Sequence, residues 1–298
     1  MTGEENMQYQ SDRVSIIIIS YNHEQFIEKA IESVLFQTYK DIELIIVDNN
    51  SSDNTREILN QYKDVYNIKV IYLENNTGIT GGINEGLKYV SGEFVSFFAS
   101  DDIMVSNRIE LQVNALRKEP EAIACFGNML RINSDGSINK RGLLPMVGFK
   151  WWALNDILTN RICLYSPTQL YRADIFTSDS INFPTEVRVE DIWLYFKLLN
   201  TGYKFITIPY LLTMYRVHDN NTHTRYKMMM QEKIKILNDY KNEAFYKKAL
   251  NFIYLEHFSN FGSTSKKDAL RILPKVILNI KSKYLYIGLI RLLFDWRK

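Results

Sequence analysis

Four short runs of apolar, largely β-branched residues punctuate the first hundred positions: 14–20 (VSIIIIS), 42–47 (IELIIV), 68–73 (IKVIYL) and 94–98 (FVSFF). They are nearly continuous in hydrophobicity rather than alternating, which predicts strands buried on both faces, as parallel sheets require. Between them apolar residues recur every three or four positions. Phe26, Ile27, Ala30, Ile31, Val34 and Leu35 make one helical stripe, Ile58 with Tyr62 a second, and Ile83 with Leu87 a third. Strand alternating with helix predicts an α/β fold: a mostly parallel sheet flanked by helices, with ligand sites at the carboxyl ends of its strands. Beyond about Pro120 the alternation weakens and turn signals and aromatics increase, as in Asn133-Ser-Asp-Gly-Ser137, so 125–226 reads as the other half of the same domain. From Lys227 onward helical patterns dominate, with 228–240 and 243–258 predicted as helices. The expected organisation is one domain over 1–226, divided into halves at 14–120 and 121–226, followed by a helical segment over 227–298.

Composition narrows the function. The chain has 298 residues, 46% of them hydrophobic, enough for a large core, and a net charge of +2, so it lacks the broad excess of positive charge that nucleic-acid binding uses. The asymmetry is local: from Lys266 to Lys298 nine basic residues stand against Asp268 and Asp295, a balance of +7 that leaves −5 for the rest. Cys125 and Cys163 lie in apolar stretches without CxxC spacing and read as buried free thiols of a reducing compartment. The first thirteen residues lack the basic start and apolar run of a signal peptide, and no run reaches the ~18 apolar residues of a membrane span, so a cytoplasmic protein is expected.

Candidate chemistry collects where the predicted strands stop. Ser20, Tyr21 and Asn22 end the first. Asp48 ends the second, where a carboxylate followed by polar residues suits hydrogen bonding to a base or ribose, whereas Asp53 reads as a helix cap. The third runs into Asn75-Asn-Thr-Gly-Ile-Thr-Gly-Gly-Ile-Asn-Glu-Gly86. A helix opening near Thr80 would offer its amides to phosphate, with Asn76, Gly78 and Asn84 as candidates; the spacing is not GxGxxG, and helix packing accounts equally for Gly82 and Gly86. The fourth ends in Ala99-Ser100-Asp101-Asp102. Two adjacent carboxylates there suit a divalent cation carrying a diphosphate, although taken alone such a pair serves equally as a helix cap. Glu190-Asp191 opens a helical run, a position the helix dipole also favours. In the segment Tyr215-Arg-Val-His-Asp-Asn-Asn221, His218 sits beside Arg216 in surroundings too polar to be core.

In this order the motifs VSIIIISYNHEQFIEKAIESVLFQTY, VDNNSSDNT, NNTGITGGINEG, FASDDI, the ED pair and YRVH resemble the inverting glycosyltransferases of family 2, over roughly 14–221. The resemblance implies a GT-A, Rossmann-like fold and transfer of a sugar from a nucleotide-diphosphate donor, a UDP-sugar favoured, to an acceptor hydroxyl. It implies that Ser20, Tyr21 and Asp48 contact the nucleoside. Asp101 and His218 would hold Mn²⁺ or Mg²⁺, with Ser100 and Asp102 beside them, Arg216 would hold phosphate, and Asp191 would be the general base. The family's D-x-D begins here with Ala99, which leaves a catalytically inactive nucleotide-sugar-binding module as the alternative. Nucleotidyl transfer is disfavoured, because Tyr21-Asn-His-Glu24 stands where it would want a basic glycine-rich loop.

Residues 272–296 interleave apolar and aromatic residues with Lys275, Lys281, Lys283 and Arg291. Such a segment suits either the surface of an anionic bilayer or a helix folded back on the domain. The first alternative would make a polyprenyl-diphosphate-linked saccharide, as in O-antigen or capsule synthesis, the natural acceptor at the cytoplasmic face. Trp151, Trp152 and Trp193 read as core residues that could also stack on sugars.

Overall fold

The computed structural model describes residues 10–159, 164–178, 181–218 and 225–295. Positions 1–9, Cys163, Asp219 to Asn221, and Trp296 to Lys298, all invoked above, lie outside them. In chain order the first half comprises β1 (Gln10–Ser20), α1 (Ile27–Leu35), β2 (Ile42–Asp48), α2 (Thr55–Asn60), β3 (Ile68–Tyr72), α3 (Gly78–Leu87), β4 (Gly92–Ala99), β5 (Ile103–Met104) and α4 (Arg108–Lys118). There follow β6 (Ala122–Ile132), β7 (Ile138–Leu143), β8 (Lys150–Trp152), α5 (Leu154–Thr159), β9 (Leu170–Arg172), α6 (Asp174–Ser178), α7 (Glu190–Asn200) and β10 (Lys204–Arg216). The helices α8 (Tyr226–Asn238), α9 (Tyr246–Thr264), α10 (Lys266–Val276) and α11 (Lys283–Phe294) complete it.

The strands form one sheet in the order β3-β2-β1-β4-β9-β6-β10-β5, with β7 added beside β6 and β8 beside β10. Its long ladders, β1 with β2 and β4, β2 with β3, and β6 with β10, are parallel; the antiparallel pairings made by β5, β7, β8 and β9 are short. This is the expected α/β architecture. Ile16, Ile17 and Ile18 of β1 are wholly buried, because helices cover both faces. Each such side chain contributes about 1.5–3 kcal/mol over an exposed one. The stripe on α1 buries Ile27, Ala30, Ile31 and Val34 in the core that β1, β2 and β4 line. The most telling packing is that of α3 on β1: a Cβ built at Gly82 would lie 2.8 Å from Ile19 Cγ2, and one at Gly86 2.6 Å from Ile17 Cγ2. Those two glycines therefore serve close helix–strand contact.

Two compact units divide the chain: Met1–Trp152, Cys163–Glu190 and Thr201–His218 in one, and Ala153–Ile162, Asp191–Asn200 and Asp219–Lys298 in the other. The first contains the whole sheet. The second is helical, and α9 packs against α8, α10 and α11 around Leu255, Phe258, Phe261, Ala269, Ile272, Val276 and Leu285. Gly262 and Gly288 let α9 and α11 touch, since a Cβ on Gly288 would fall 2.3 Å from the Phe258 ring and one on Gly262 2.7 Å from the Gly288 carbonyl oxygen. Pro274 lies inside α10 and Gly288 inside α11. Among the described residues no helix is long and apolar enough to cross a membrane.

Candidate active site

Register brings the predicted strand ends to one edge. Ser20 pairs with Asp48, Asp48 with Tyr72, and Ile19 with Ala99, so the polar residues that follow β1, β2, β3 and β4 emerge side by side. Parallel strands all stop at the same edge, and side chains just past their ends escape the apolar helices on either face.

One group of residues forms around Asp48, which is fully buried. Its Oδ2 accepts from the Ser51 amide at 3.1 Å and from Arg56 Nε at 2.6 Å, while Oδ1 has no partner among the described residues. Ser20 Oγ is likewise buried and unpartnered, two unspent polar atoms at one point of the edge. Arg56, which the sequence reading missed, also donates to the Leu73 carbonyl at 2.7 Å, tying the ends of β2 and β3 together. Tyr21 is exposed beside Ser20. Asn22, in the left-handed region at φ 53°, accepts from the Ser52 amide at 2.8 Å and gives its own amide to Ser51 Oγ at 3.0 Å. Asp53 accepts from the Thr55 and Glu24 amides at 3.0 and 3.1 Å, so it braces the start of α2 as expected.

The start of α3 is held by Asn49, whose amide bridges the Thr77 N–H at 2.8 Å and the Gly78 carbonyl at 2.8 Å. Gly78 stands at φ 73°, a conformation that favours glycine, and its N–H donates to Asn76 Oδ1 at 2.9 Å. The helix opens here, two residues before the expected Thr80. Asn84 goes elsewhere. Both ends of its amide bond the backbone of Phe183, at 2.8 and 2.9 Å, so it fastens that segment to α3.

The second group lies at the end of β4. Ligand atoms of His23, Asp101 and His218 all fall within 4.8 Å of one another. His218 Nε2 is 2.8 Å from Asp101 Oδ2, and its ring stacks on Phe26 at 5.5 Å between centroids. His23, also missed from the sequence, is held through Nδ1 by Ser100 Oγ at 2.6 Å and through its own N–H by Thr55 Oγ1 at 3.0 Å. Burial, only partly opposed by the Asp101 charge, pushes the His23 imidazole below its ordinary pKa and so favours the neutral form, the one in which imidazole binds cations. Asp102 accepts the Arg216 amide at 2.8 Å on Oδ1, and its buried Oδ2 has no partner among the described residues. Burial and then the neighbouring Asp101 charge raise its carboxyl well above the usual range. The Asp101 carboxylate and the two imidazoles, with their ligand atoms mutually close, are a donor set that fits a divalent cation.

Arg216 corrects the reading of its segment as too polar for core. It is 1% exposed, because β5 pairs with β10 and draws the strand under the aspartate loop. Its Nε donates to the Asp101 carbonyl at 2.7 Å and Nη1 to the Asn133 and Ser134 carbonyls at 3.1 and 2.9 Å, so most of the fork expected to hold phosphate is committed to the backbone. Nη2 is buried without a partner among the described residues. A second buried arginine, Arg108, bonds Ser96, Thr213 and Gln112 side chains and two carbonyls, those of Pro167 and Gln169, beneath the same loop. Asp191 belongs to the helical unit, in the first turn of α7, where its Oδ1 accepts from the Ile192 amide at 2.7 Å. Of the tryptophans, Trp152 is core and donates through Nε1 to Thr207 at 3.1 Å.

Residues 15–177 match the model of the family described as glycosyl transferase family 2. The chain is 41% identical over 127 residues to an Escherichia coli UDP-Glc:alpha-D-GlcNAc-diphosphoundecaprenol beta-1,3-glucosyltransferase, WfgD, an alignment covering 43% of this chain and 49% of that one. It thus spans about half the length of that relative. In structure it is similar to Staphylococcus aureus TarS 1-349 in complex with UDP-GlcNAc, with a TM-score of 0.67 at 23% identity over 88% of this chain and 79% of the other. It is also similar to a Pyrobaculum calidifontis mannosyltransferase in complex with GDP-Man and Mn²⁺, with a TM-score of 0.60 at 16% identity over 96% and 88%.

Proposed function

The chain belongs to glycosyl transferase family 2, and from that premise we propose that it moves a sugar from a UDP-sugar onto a hydroxyl of a polyprenyl-diphosphate-linked saccharide, with inversion at the anomeric carbon. The observation that carries this reading is the pairing, along one sheet edge, of Asp48 with its unspent oxygen and the Asp101–His218–His23 group. The donor class is supported by the UDP-GlcNAc complex of TarS, and the acceptor class by the diphosphoundecaprenol substrate in the name of WfgD.

In this reading Asp48 and Ser20 receive the nucleoside, with Tyr21 and Asn22 flanking it, and the amides at the start of α3, near Asn76 and Gly78, face the diphosphate. Residues 14–120 would serve the donor, 121–226 the acceptor, and 227–298 would be a helical extension, although within 121–226 the stretches Ala153–Ile162 and Asp191–Asn200 belong to the helical unit. Asp101, His218 and His23 would hold a divalent cation, with Asp102 beside them, and two imidazoles in the set favour Mn²⁺ over Mg²⁺. When bound, such an ion supplies positive charge to a departing nucleoside diphosphate. Ser100 orients His23 and Arg216 fixes the Asp101 backbone, so both position the group rather than touch the sugar. The Asp191 carboxylate takes the proton of the acceptor hydroxyl as that oxygen bonds to the anomeric carbon and the bond to the diphosphate oxygen breaks. A single displacement inverts the centre, and an α-linked donor gives a β-linked product.

The test is release of nucleoside diphosphate from UDP-, GDP- and dTDP-sugars, with polyprenyl-diphosphate saccharides as acceptors, in Mn²⁺ or Mg²⁺. Release from one donor that is lost in Asp101→Ala and Asp191→Asn supports the proposal. Nucleotide binding without release from any donor would replace it with the inactive module that Ala99 raises.

A further inference from the structure

The last two helices carry two apolar faces where a folded-back segment needs one. On α11 the inner face, Leu285, Gly288, Leu289 and Leu292, packs in the cluster with Phe258 of α9. The outer face presents Tyr286, Ile287, Ile290, Leu293 and Phe294 to solvent at helical spacing, with Ile290 60% and Phe294 76% exposed. The stripe continues into the connection from α10, where Leu278 and Ile280 are 88% and 67% exposed. The Tyr286 hydroxyl donates to the Ile280 carbonyl at 2.7 Å and joins that connection to the helix. Lys267, Arg271, Lys275, Lys281 and Lys283 are exposed along the same stretch, while Asp268 is engaged with Ser265 and faces Lys227.

We infer that this face seats the protein on an anionic lipid bilayer, with the α11 stripe and Leu278 in the acyl boundary and the basic side chains at the headgroups. The charge selects this occupant over a second copy of the chain. The five basic side chains beside the stripe find complementary charge at an anionic headgroup surface, whereas the same patch of a second copy offers only Asp268 and Asp295 to all of them. The segment thus does both things the sequence left open: it folds back through one face of α11 and keeps the other for a surface. The inference does not rest on the transferase reading and is measured without donor or acceptor.

The experiment is cosedimentation of the full chain with phosphatidylcholine vesicles, with and without phosphatidylglycerol, at low and high salt. Binding should require phosphatidylglycerol and weaken with salt. Replacing Lys281→Gln and Lys283→Gln together should weaken it roughly thirtyfold, at about fivefold for each basic residue near such a surface. The triple variant Leu278→Ser, Ile290→Ser, Phe294→Ser, at positions the fold leaves exposed, should lose at least about a hundredfold while melting like the wild type. No cosedimentation at low salt, or equal binding to neutral and anionic vesicles, overturns the inference. So does a lipid-free dimer in analytical ultracentrifugation that the triple variant abolishes, which would assign the face to a second copy.

Discussion

Replacing Arg216 by Met separates a brace from a phosphate ligand. The change keeps side-chain bulk against Phe26, over whose ring the guanidinium sits at 5.0 Å, but it removes the donors to the Asp101, Asn133 and Ser134 carbonyls. Each buried acceptor left without a donor costs ~1–3 kcal/mol. Arg216 also opposes the upward shift of the Asp102 carboxyl, so its loss leaves that group with less compensation. Relaxation and water entry recover part of the sum, and a net loss of about 3–5 kcal/mol matches the breaking of other buried charged networks. At ~2–4 °C per kcal/mol for a unit of this size, the melting temperature should fall by about 10 °C. Because the Asp101 backbone loses its anchor, Mn²⁺ affinity, read by calorimetry, should drop about tenfold or more, an effect of the same order as other losses of groups that orient metal ligands. Melting within ~2 °C of wild type, together with a large rise in donor KM, would refute the reasoning and return Arg216, through Nη2, to the diphosphate.

His23→Ala should weaken Mn²⁺ binding by about tenfold with little change in nucleotide binding, and equal Mn²⁺ titrations of variant and wild type would remove His23 from the cation group. Asp48→Asn should cost roughly 1.5–3 kcal/mol of UDP affinity by calorimetry, because a buried charged acceptor becomes a neutral one. Gly288→Ala gains about 1 kcal/mol of helix propensity but drives a methyl group into the Phe258 ring, so a net destabilisation of about 1–2 kcal/mol should appear in thermal melts. Burial lowers the pKa of His257, whose Nδ1 lies 2.9 Å from the Ile253 carbonyl, so the folded state holds fewer protons than the unfolded chain in mildly acid solution. Stability should therefore fall as the pH drops from about 6.5 through the lowered value, and His257→Gln should flatten that part of the curve.

Most of the sheet was legible because its signal is local. Residues 14–20, 42–47, 68–73 and 94–98 all fall in strands, β1 to β4, almost residue for residue, but 68–73 is not the doubly buried strand expected: β3 ends the sheet order, Lys69 is exposed and Val70, Ile71 and Tyr72 are half-buried. The long β6 and β10 were less visible. Thr207, Thr213 and Asn128 interrupt their apolar runs, and those polar side chains are tolerated only because partners such as Trp152, Arg108 and the Val147 amide come from elsewhere in the chain. The candidate site divides in the same way. Asp48, Asp101 and Asp102 stand out as carboxylates where buried strands stop, a pattern that period and position reveal. His23 carried a weak signal, one imidazole three residues past a strand end, and nothing along the chain ties it to His218, 195 positions away. Asn84 and Arg216 looked like ligand residues because polar side chains after strands and beside a histidine are ordinary ligand candidates. Their actual partners, the Phe183 backbone and the carbonyls of the Asp101 and Asn133 turns, are set by packing.

The sequence by itself determined the class of fold, the family and the edge at which the chemistry gathers, because hydrophobic period and strand-end polarity are properties of contiguous residues. The tertiary structure alone decided that His23 joins Asp101 and His218, that Arg216 is a buried brace, and that α11 keeps one apolar face inward and another outward. Those outcomes depend on which surfaces are left after helices and strands have buried one another, and that remainder is fixed by distances between residues far apart in the chain.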